Sequence, residues 1–292
     1  MPDLIHTIPA PQKRAHTAPL PRAVARTDAD APDRTEPWLA LLRRVNERVP
    51  TWMVMKSVES AFTGTGDVDS VAPVDAWPHV IDEVCTWARE RGLGPVVVCP
   101  HVPHVLYLVT LDPDRPFFFE LDVTRRKIFL GSTLYYPRDL FRLSVSDPRG
   151  FRITRPGTEG LLALVQNGAK RGGRPDWEGI RRKRIVELLA KDPEGVQEGA
   201  KLFGQGAEAV MRVVDAVLEG GWDQRSMLEV EAHCILRGLG DVTALVARTR
   251  FRVVRRQCPV LRAVFESARQ VPGDRHAWLR DVRRSHVVYG SD

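Results

Sequence analysis

The chain has 292 residues, 43% of them hydrophobic and 27% charged, a balance typical of a globular protein with one large or two small domains. Its net charge of +6 is compatible with an anionic partner such as a nucleotide or RNA, although a solvated arginine-rich surface would give the same charge. No run of about 18 apolar residues is present, so we expect no membrane span. The four cysteines are too far apart for a zinc ribbon or a redox pair, which favours reduced thiols and a cytoplasmic location.

Three parts follow one another along the chain. Residues 1–36 are rich in Pro, Ala, Arg, Thr and Asp and lack an apolar signal core, which predicts a disordered or loosely packed tail. Residues 37–150 alternate between helical and strand patterns, which predicts an α/β module around one mixed sheet. Residues 151–292 show helical periodicity almost throughout, which predicts an all-helical module.

The individual elements are predicted from apolar periodicity and from the Gly and Pro residues that end each pattern. In chain order we expect a helix over 36–49, a strand over 52–55, a short helix over 56–62, a strand over 67–72, a helix over 73–91, and strands over 95–99, 104–111, 117–123 and 127–130. Helices are expected from 157 onwards and over 180–189, 192–203, 207–218, 224–239, 242–254, 260–270 and 276–282.

The most informative motif is Gly66-Asp67-Val68-Asp69, at the start of the second predicted strand. Because side chains alternate across a strand, Asp67 and Asp69 would point to the same face. Two neighbouring carboxylates repel each other unless a cation lies between them, and oxygen ligands at this density suit Mg²⁺ or Mn²⁺. A simple acidic turn near a helix start would contain the same residues without any function.

A phosphoryl-transfer site of this kind needs a third acid on a neighbouring strand. Glu120 and Asp122 are the candidates, since they are two residues apart in the apolar strand predicted over 117–123. Charged groups in such a strand are costly unless they are paired or bind a metal. The alternative is that they are exposed charges on an edge strand, where they would prevent aggregation.

The motif and the order of elements over residues 52–123 resemble the DNA polymerase beta-like nucleotidyltransferase superfamily, and most closely its bacterial nucleotidyltransferase-like members. The resemblance implies that Asp67 and Asp69 are paired catalytic metal ligands, with Asp122 or Glu120 as the third acid. It also implies that Lys56, with Ser57 and Gly66, helps to bind the nucleotide. The chain departs from the pattern at Ser57-Val58, where the superfamily usually has Gly-Ser or Gly-Gly.

The function implied by the resemblance is a metal-dependent transfer of NMP from a nucleoside triphosphate, such as ATP, to an acceptor hydroxyl or phosphate on a small molecule or RNA. The alternative is a non-catalytic nucleotide- or partner-binding protein on the same fold. Two basic segments could contact phosphates or could be solvated surface: Arg125-Arg126-Lys127 after the acidic strand, and the run from Lys170 to Arg184.

Overall fold

Eight strands form one mixed sheet in the computed structural model, which describes residues 33–64, 66–93, 96–102, 104–111, 118–169, 173, 175, 180–242, 246 and 287–289. The strands of this sheet are β1 (Met53–Val54), β2 (Val68–Val71), β3 (Val96–Val102), β4 (Val105–Leu111), β5 (Phe118–Thr124), β8 (Ser144–Asp147), β9 (Phe151–Thr154) and β10 (Val287–Tyr289). Their order is β10-β3-β4-β5-β2-β1-β9-β8. The β2–β5 and β1–β9 pairs are parallel, and the other neighbours are antiparallel.

A separate two-stranded hairpin joins β6 (Lys127–Phe129) to β7 (Ser132–Tyr135). Its turn places both Leu130 and Gly131 at positive φ, 48° and 92°. Two successive residues at positive φ are typical of the tight turns whose twist matches the flanking strands. The hairpin follows β5 directly, so it lies next to the strand that contains Glu120 and Asp122.

The described helices surround the sheet and make up most of the C-terminal part of the chain. They are α1 (Thr35–Arg48), α2 (Glu59–Phe62), α3 (Trp77–Glu90), α4 (Pro137–Arg142), α5 (Pro156–Ala169), α6 (Ile180–Lys191), α7 (Pro193–Ala200), α8 (Ala207–Leu218) and α9 (Gln224–Leu239). Two aspartates fix helix starts: Asp192 accepts a hydrogen bond from the Gly195 N–H, and Asp223 accepts one from the Ser226 N–H.

Two apolar clusters cover the two faces of the sheet. On one face, α1 and α3 pack through residues such as Trp38 and Trp87 against Val68 and Leu121. On the other face, Met53 and Val71 pack with the β6–β7 hairpin and with α5 to α9. Because side chains alternate along a strand, Asp69 shares the face of Val71 and therefore points towards the helical half of the molecule.

The expected mixed α/β sheet and the helical C-terminal part are both confirmed. Sequence patterns did not predict β7, α4, β8, β9 or β10. The predicted module boundary at residue 150 falls in the turn between β8 and β9, where Gly150 has φ 99° and its N–H donates to the Asp147 carbonyl. Residues 1–32 of the predicted tail, most of the helix predicted over 242–254, and the helices predicted over 260–270 and 276–282 lie outside the described residues.

No helix in the described part of the chain is long and apolar enough to cross a membrane. Cys85 and Cys234 are both free thiols, and Cys234 is buried.

Candidate metal centre

Three aspartates converge on the sheet face that points towards the helices. The parallel register of β2 and β5 places Asp69 directly beside Asp122, and Asp67 lies two residues before Asp69 on the same face. One carboxylate oxygen from each of the three lies within 4.8 Å of the others. The β2–β5 pairing therefore assembles the acids that the sequence placed in two separate motifs.

Asp122 lies in the most buried position of the three, with 9% of its surface exposed. Its Oδ1 atom is buried and has no hydrogen-bond partner among the described residues, while its backbone carbonyl accepts a hydrogen bond of 2.7 Å from Ser70 Oγ. Burial, followed by the negative charges of Glu120, Asp69 and Asp67, raises the pKa of Asp122 to about 9. The ionised form of this carboxyl group is thus strongly disfavoured unless a positive charge comes close to it.

Lys56 supplies one such charge, because it follows β1, which pairs with β2 in antiparallel fashion. Its ammonium group forms an ion pair with Asp69 and lies 3.8 Å from Asp67 Oδ1. Burial acts to lower the pKa of Lys56, but the charges of Asp69, Asp67 and Asp122 outweigh it and raise the pKa above its ordinary value. Lys56 is therefore a fixed cation at the edge of the aspartate cluster.

Ser57 and Gly66, predicted to assist nucleotide binding, make different contacts. The Ser57 N–H donates to Glu159 Oε1 at 3.2 Å, which links the loop after β1 to helix α5. The Gly66 N–H donates to the Ser60 carbonyl. A Cβ atom at Gly66 would lie 2.6 Å from Ser60 Oγ, so this close approach requires glycine. The contacts of Gly66 thus show a role in shaping the turn before β2.

Glu120 is not one of the three acids that converge. It lies on β5 opposite Val109 of β4, two residues before Asp122, and its charge contributes to the raised pKa of Asp122. Its place as a metal ligand stays a prediction. The edge-strand alternative is wrong for Asp122, which pairs with Asp69 of β2 on one side and Tyr107 of β4 on the other. It stays open for Glu120, because the pairing of β5 with β2 begins at Leu121.

A cavity of about 510 Å³, which we call the acid cavity, lies between Asp69 and the helices α5 and α6. Its wall combines the cations Lys56, Lys127, Arg181 and Arg184 with the acids Asp69 and Glu159. Amide and apolar side chains of α5 and α6 complete it. The basic run from Lys170 to Arg184 was a candidate for phosphate contacts, and two of its members, Arg181 and Arg184, line this cavity. Residues 170–172 and 174 of the run are outside the described part of the chain.

Sequence reasoning missed Glu159, which connects the two sides of the acid cavity. Its Oε1 accepts hydrogen bonds from the Ser57 N–H and, at 2.7 Å, from Arg184 Nη2. Burial raises the pKa of Glu159, and the Ser57 and Arg184 contacts oppose this shift. A signal was available, since Glu159 is the lone charged residue in the otherwise apolar or uncharged sequence of residues 156–169.

No protein-family model, curated protein or solved structure matches this chain. The resemblance of residues 52–123 to nucleotidyltransferases therefore stays a prediction from the motif and the order of elements.

Proposed function

We propose that the protein is a metal-dependent nucleotidyltransferase, which transfers NMP from a nucleoside triphosphate to a hydroxyl or phosphate of an acceptor. The observation that carries this proposal is the convergence of Asp67, Asp69 and Asp122, whose oxygen atoms lie within 4.8 Å of one another. Their position on two parallel neighbouring strands, preceded by an antiparallel strand that leads to Lys56, supports the superfamily resemblance.

The three aspartates fit a hard divalent cation. Carboxylate oxygens are the ligands that Mg²⁺ and Mn²⁺ prefer, and the buried Asp122 Oδ1 has no other partner among the described residues. Asp67, Asp69 and Asp122 would hold the ion, with Glu120 as a further candidate ligand. When bound, such an ion neutralises phosphate charge and lowers the pKa of an attacking oxygen.

The side chains of the acid cavity suit a phosphate chain. Lys56, Lys127 and Arg184 place positive charges around a space that also borders Asp69. These cations would bind and orient phosphate oxygens, which is the main task of a protein in phosphoryl transfer. Leu162 and Ile185 form an apolar part of the wall, where a base or an acceptor would be shielded from water. Helices α5 and α6 would accordingly set the choice of acceptor.

A second candidate is a non-catalytic binding protein on the same fold, and two contacts favour it. Lys56 neutralises Asp69 and Asp67 without a metal. The Ser57 N–H, at the position where the superfamily offers backbone amides to phosphates, donates instead to Glu159. This alternative predicts ligand binding that needs no metal and no turnover of the triphosphate.

The decisive experiment measures incorporation of α-labelled ATP, GTP, CTP and UTP into RNA, protein and small-molecule acceptors with Mg²⁺ or Mn²⁺. We expect Asp67→Asn and Asp69→Asn each to lower incorporation by about 100-fold or more. Asp75→Asn is the matched control, since Asp75 is exposed in the turn after β2. Equal incorporation by the wild type and by Asp67→Asn/Asp69→Asn would refute the proposed transfer activity. Metal-independent calorimetric binding of a triphosphate would then support the alternative.

A further inference from the structure

A second cavity, of about 980 Å³, lies at the opposite end of β1 and β2 from the aspartates. Residues just before β1 and just after β2, including Pro73, form part of its wall. Because a strand advances about 3.3 Å per residue, Pro73 lies roughly 13 Å along the chain from Asp69. The volume is at the upper end of the range for pockets that hold small organic ligands.

Four arginines give this cavity its chemistry: Arg125, Arg126, Arg138 and Arg142. We therefore call it the arginine cavity. The described residues that line it include no aspartate or glutamate. Arg138 Nε lies 3.5 Å from Asp139 Oδ1, and the Arg138 side chain is 78% exposed. Arg125 and Arg142 form no ion pair with a described residue. Arg125 and Arg142 thus bring positive charge to the cavity wall that no described acid neutralises, which suits an anion.

The positive charge of the arginines also acts on neighbouring titratable groups. Burial, followed by the charges of Arg126, Lys127 and Arg125, lowers the pKa of His104 to about 4. Burial and the charge of Arg126 also lower the pKa of Arg125. An anion bound among the arginines would relieve this repulsion, and its binding energy would therefore exceed that of a surface ion pair.

The rest of the wall is apolar and partly aromatic. Tyr136 and Phe141 line the cavity together with prolines and Val74. Tyr136 is 42% exposed and Val74 is 51% exposed, so this part of the wall is accessible from solvent. A ligand that fits must therefore combine anionic groups with a flat apolar portion, and the concave shape favours a ring that enters the cavity.

We propose that the arginine cavity binds a nucleotide, either free or as a unit of a single nucleic-acid strand. Guanidinium groups bind phosphate oxygens through paired hydrogen bonds, and Arg125 and Arg142 have this capacity unused by described acids. Arg138 lies over the Tyr136 ring at 5.8 Å from its centroid, and Arg152 lies over the Phe141 ring at 4.6 Å, so a base would stack on the opposite face of either ring. The proposal does not depend on the transfer activity, because none of the three aspartates lines this cavity.

The two ends of the β6–β7 hairpin and the residues that flank them contribute to the two cavities. Lys127 and Tyr135 are partners across the hairpin and line the acid cavity. The residues next to them in the chain, Arg126 and Tyr136, line the arginine cavity. A nucleotide in the arginine cavity would thus be held one residue away from the wall of the acid cavity.

Calorimetric titration in EDTA tests the proposal, because EDTA suppresses any metal-dependent binding at the aspartates. The ligands are adenosine monophosphate, inorganic phosphate, adenosine and a ten-residue oligouridylate. The test variant is Arg138→Gln/Arg142→Gln, and Arg48→Gln/Arg225→Gln is a control with the same loss of charge at exposed positions elsewhere. We expect adenosine monophosphate to bind, with phosphate and adenosine each about tenfold weaker, and the test variant to lose about tenfold in affinity.

The oligouridylate arm identifies the source of the nucleotide. Tighter binding of the strand than of the mononucleotide assigns the cavity to a nucleic-acid strand. The slope of log K against log salt concentration should then become shallower by about 0.7 for each arginine removed. Equal affinity for strand and mononucleotide assigns it to a free nucleotide. Binding that survives Asp67→Asn/Asp69→Asn supports the arginine cavity as the site.

Four results would overturn the proposal: equal affinities of the test and control variants, phosphate binding as tight as that of the nucleotide, loss of binding in the aspartate variant, or binding to anionic phospholipid vesicles alone. Thermal melting of every variant shows whether a loss of affinity reflects unfolding.

Discussion

The acid cavity and the arginine cavity both lie beside the β6–β7 hairpin but differ in whether their charged side chains form ion pairs. In the acid cavity, Lys56 pairs with Asp69, and Arg184 pairs with Glu159. In the arginine cavity, Arg125 and Arg142 have no acidic partner among the described residues. Paired charges stabilise the fold and must exchange partners when a ligand binds, whereas unpaired charges contribute little to stability and are ready for a ligand. Four variants test this contrast, from the largest expected effect on stability to the smallest.

Glu159→Ala should have the largest effect on stability. The Glu159 side chain is only 11% exposed, and its loss leaves the Ser57 N–H and the Arg184 guanidinium without their shared acceptor. We expect the free energy of unfolding in urea to fall by about 2 kcal/mol. The control is Glu194→Ala, because Glu194 is 78% exposed and its partner Arg155 also binds Asp192. Equal losses in both variants would contradict the structural role of Glu159.

Lys56→Met should destabilise the fold by about 1 kcal/mol, a value reduced by solvent screening because the lysine is 47% exposed. The substitution leaves three neighbouring aspartates without their fixed cation. Mg²⁺ should therefore raise the melting temperature of Lys56→Met more than that of the wild type. Lys201→Met, at a lysine that is 69% exposed beside Glu198, is the control and should show no such difference. A Mg²⁺ response no greater than that of the wild type would contradict the proposed metal centre.

His104 should make the protein less stable in mild acid. Its pKa is about 4 in the folded protein against an ordinary 6.5, so the unfolded chain binds more protons between these two values. The contribution of His104 to the free energy of unfolding should therefore decrease as the pH falls from 6.5 to 4, by about 1 kcal/mol after allowance for screening at this half-buried site. The raised pKa of Asp122 has the opposite effect over this range, because the folded protein then binds the extra proton. His104→Gln retains Asp122, so the stability of the wild type relative to His104→Gln should fall by this amount between pH 6.5 and pH 4 in melting experiments. The exposed control His79→Gln should keep the wild-type slope.

Arg138→Gln/Arg142→Gln should change stability least, by less than about 0.5 kcal/mol, because both side chains are exposed. The same variant should lose nucleotide affinity, so binding and stability would separate in the arginine cavity. A destabilisation as large as that of Glu159→Ala in urea unfolding would show that these arginines are structural. The arginines would then stabilise the fold as the paired charges of the acid cavity do, and the proposed difference between the two cavities would be wrong.

Much of the helical part could be predicted from the sequence. The bounds of α8 and α9 agree with the predicted ranges 207–218 and 224–239, because buried residues recur with helical spacing and glycines interrupt the pattern between the helices. The apolar residues around Glu120 and Asp122 likewise identified β5. In these segments the periodicity of a single element contains enough information to define it.

Short strands and distant contacts could not be predicted in this way. β8 contains four residues, and its mostly polar sequence has no strong alternation, so its pairing with β9 leaves little trace in the sequence. The contact of Ser57 with Glu159 joins residues that are 102 positions apart. Both cavities are likewise built from segments that meet only in the folded chain. The sequence therefore indicated the aspartates, Lys56 and the basic segments as candidates, but not which of them share a cavity.

The parallel pairing of β2 with β5 also determines when the aspartate cluster can form during folding. Ser70 and Asp122 are in contact although 52 positions separate them in the chain, whereas β1 and β2 meet through a much shorter loop. Local pairings form quickly and long-range parallel pairings form slowly, because the entropy of closing the long loop must be lost first. We therefore expect the Lys56–Asp69 pair to form in an early hairpin and Asp122 to join it later, when this counter-charge is already in place. The docking of β5 is accordingly the folding step whose rate should depend most on salt and on Lys56.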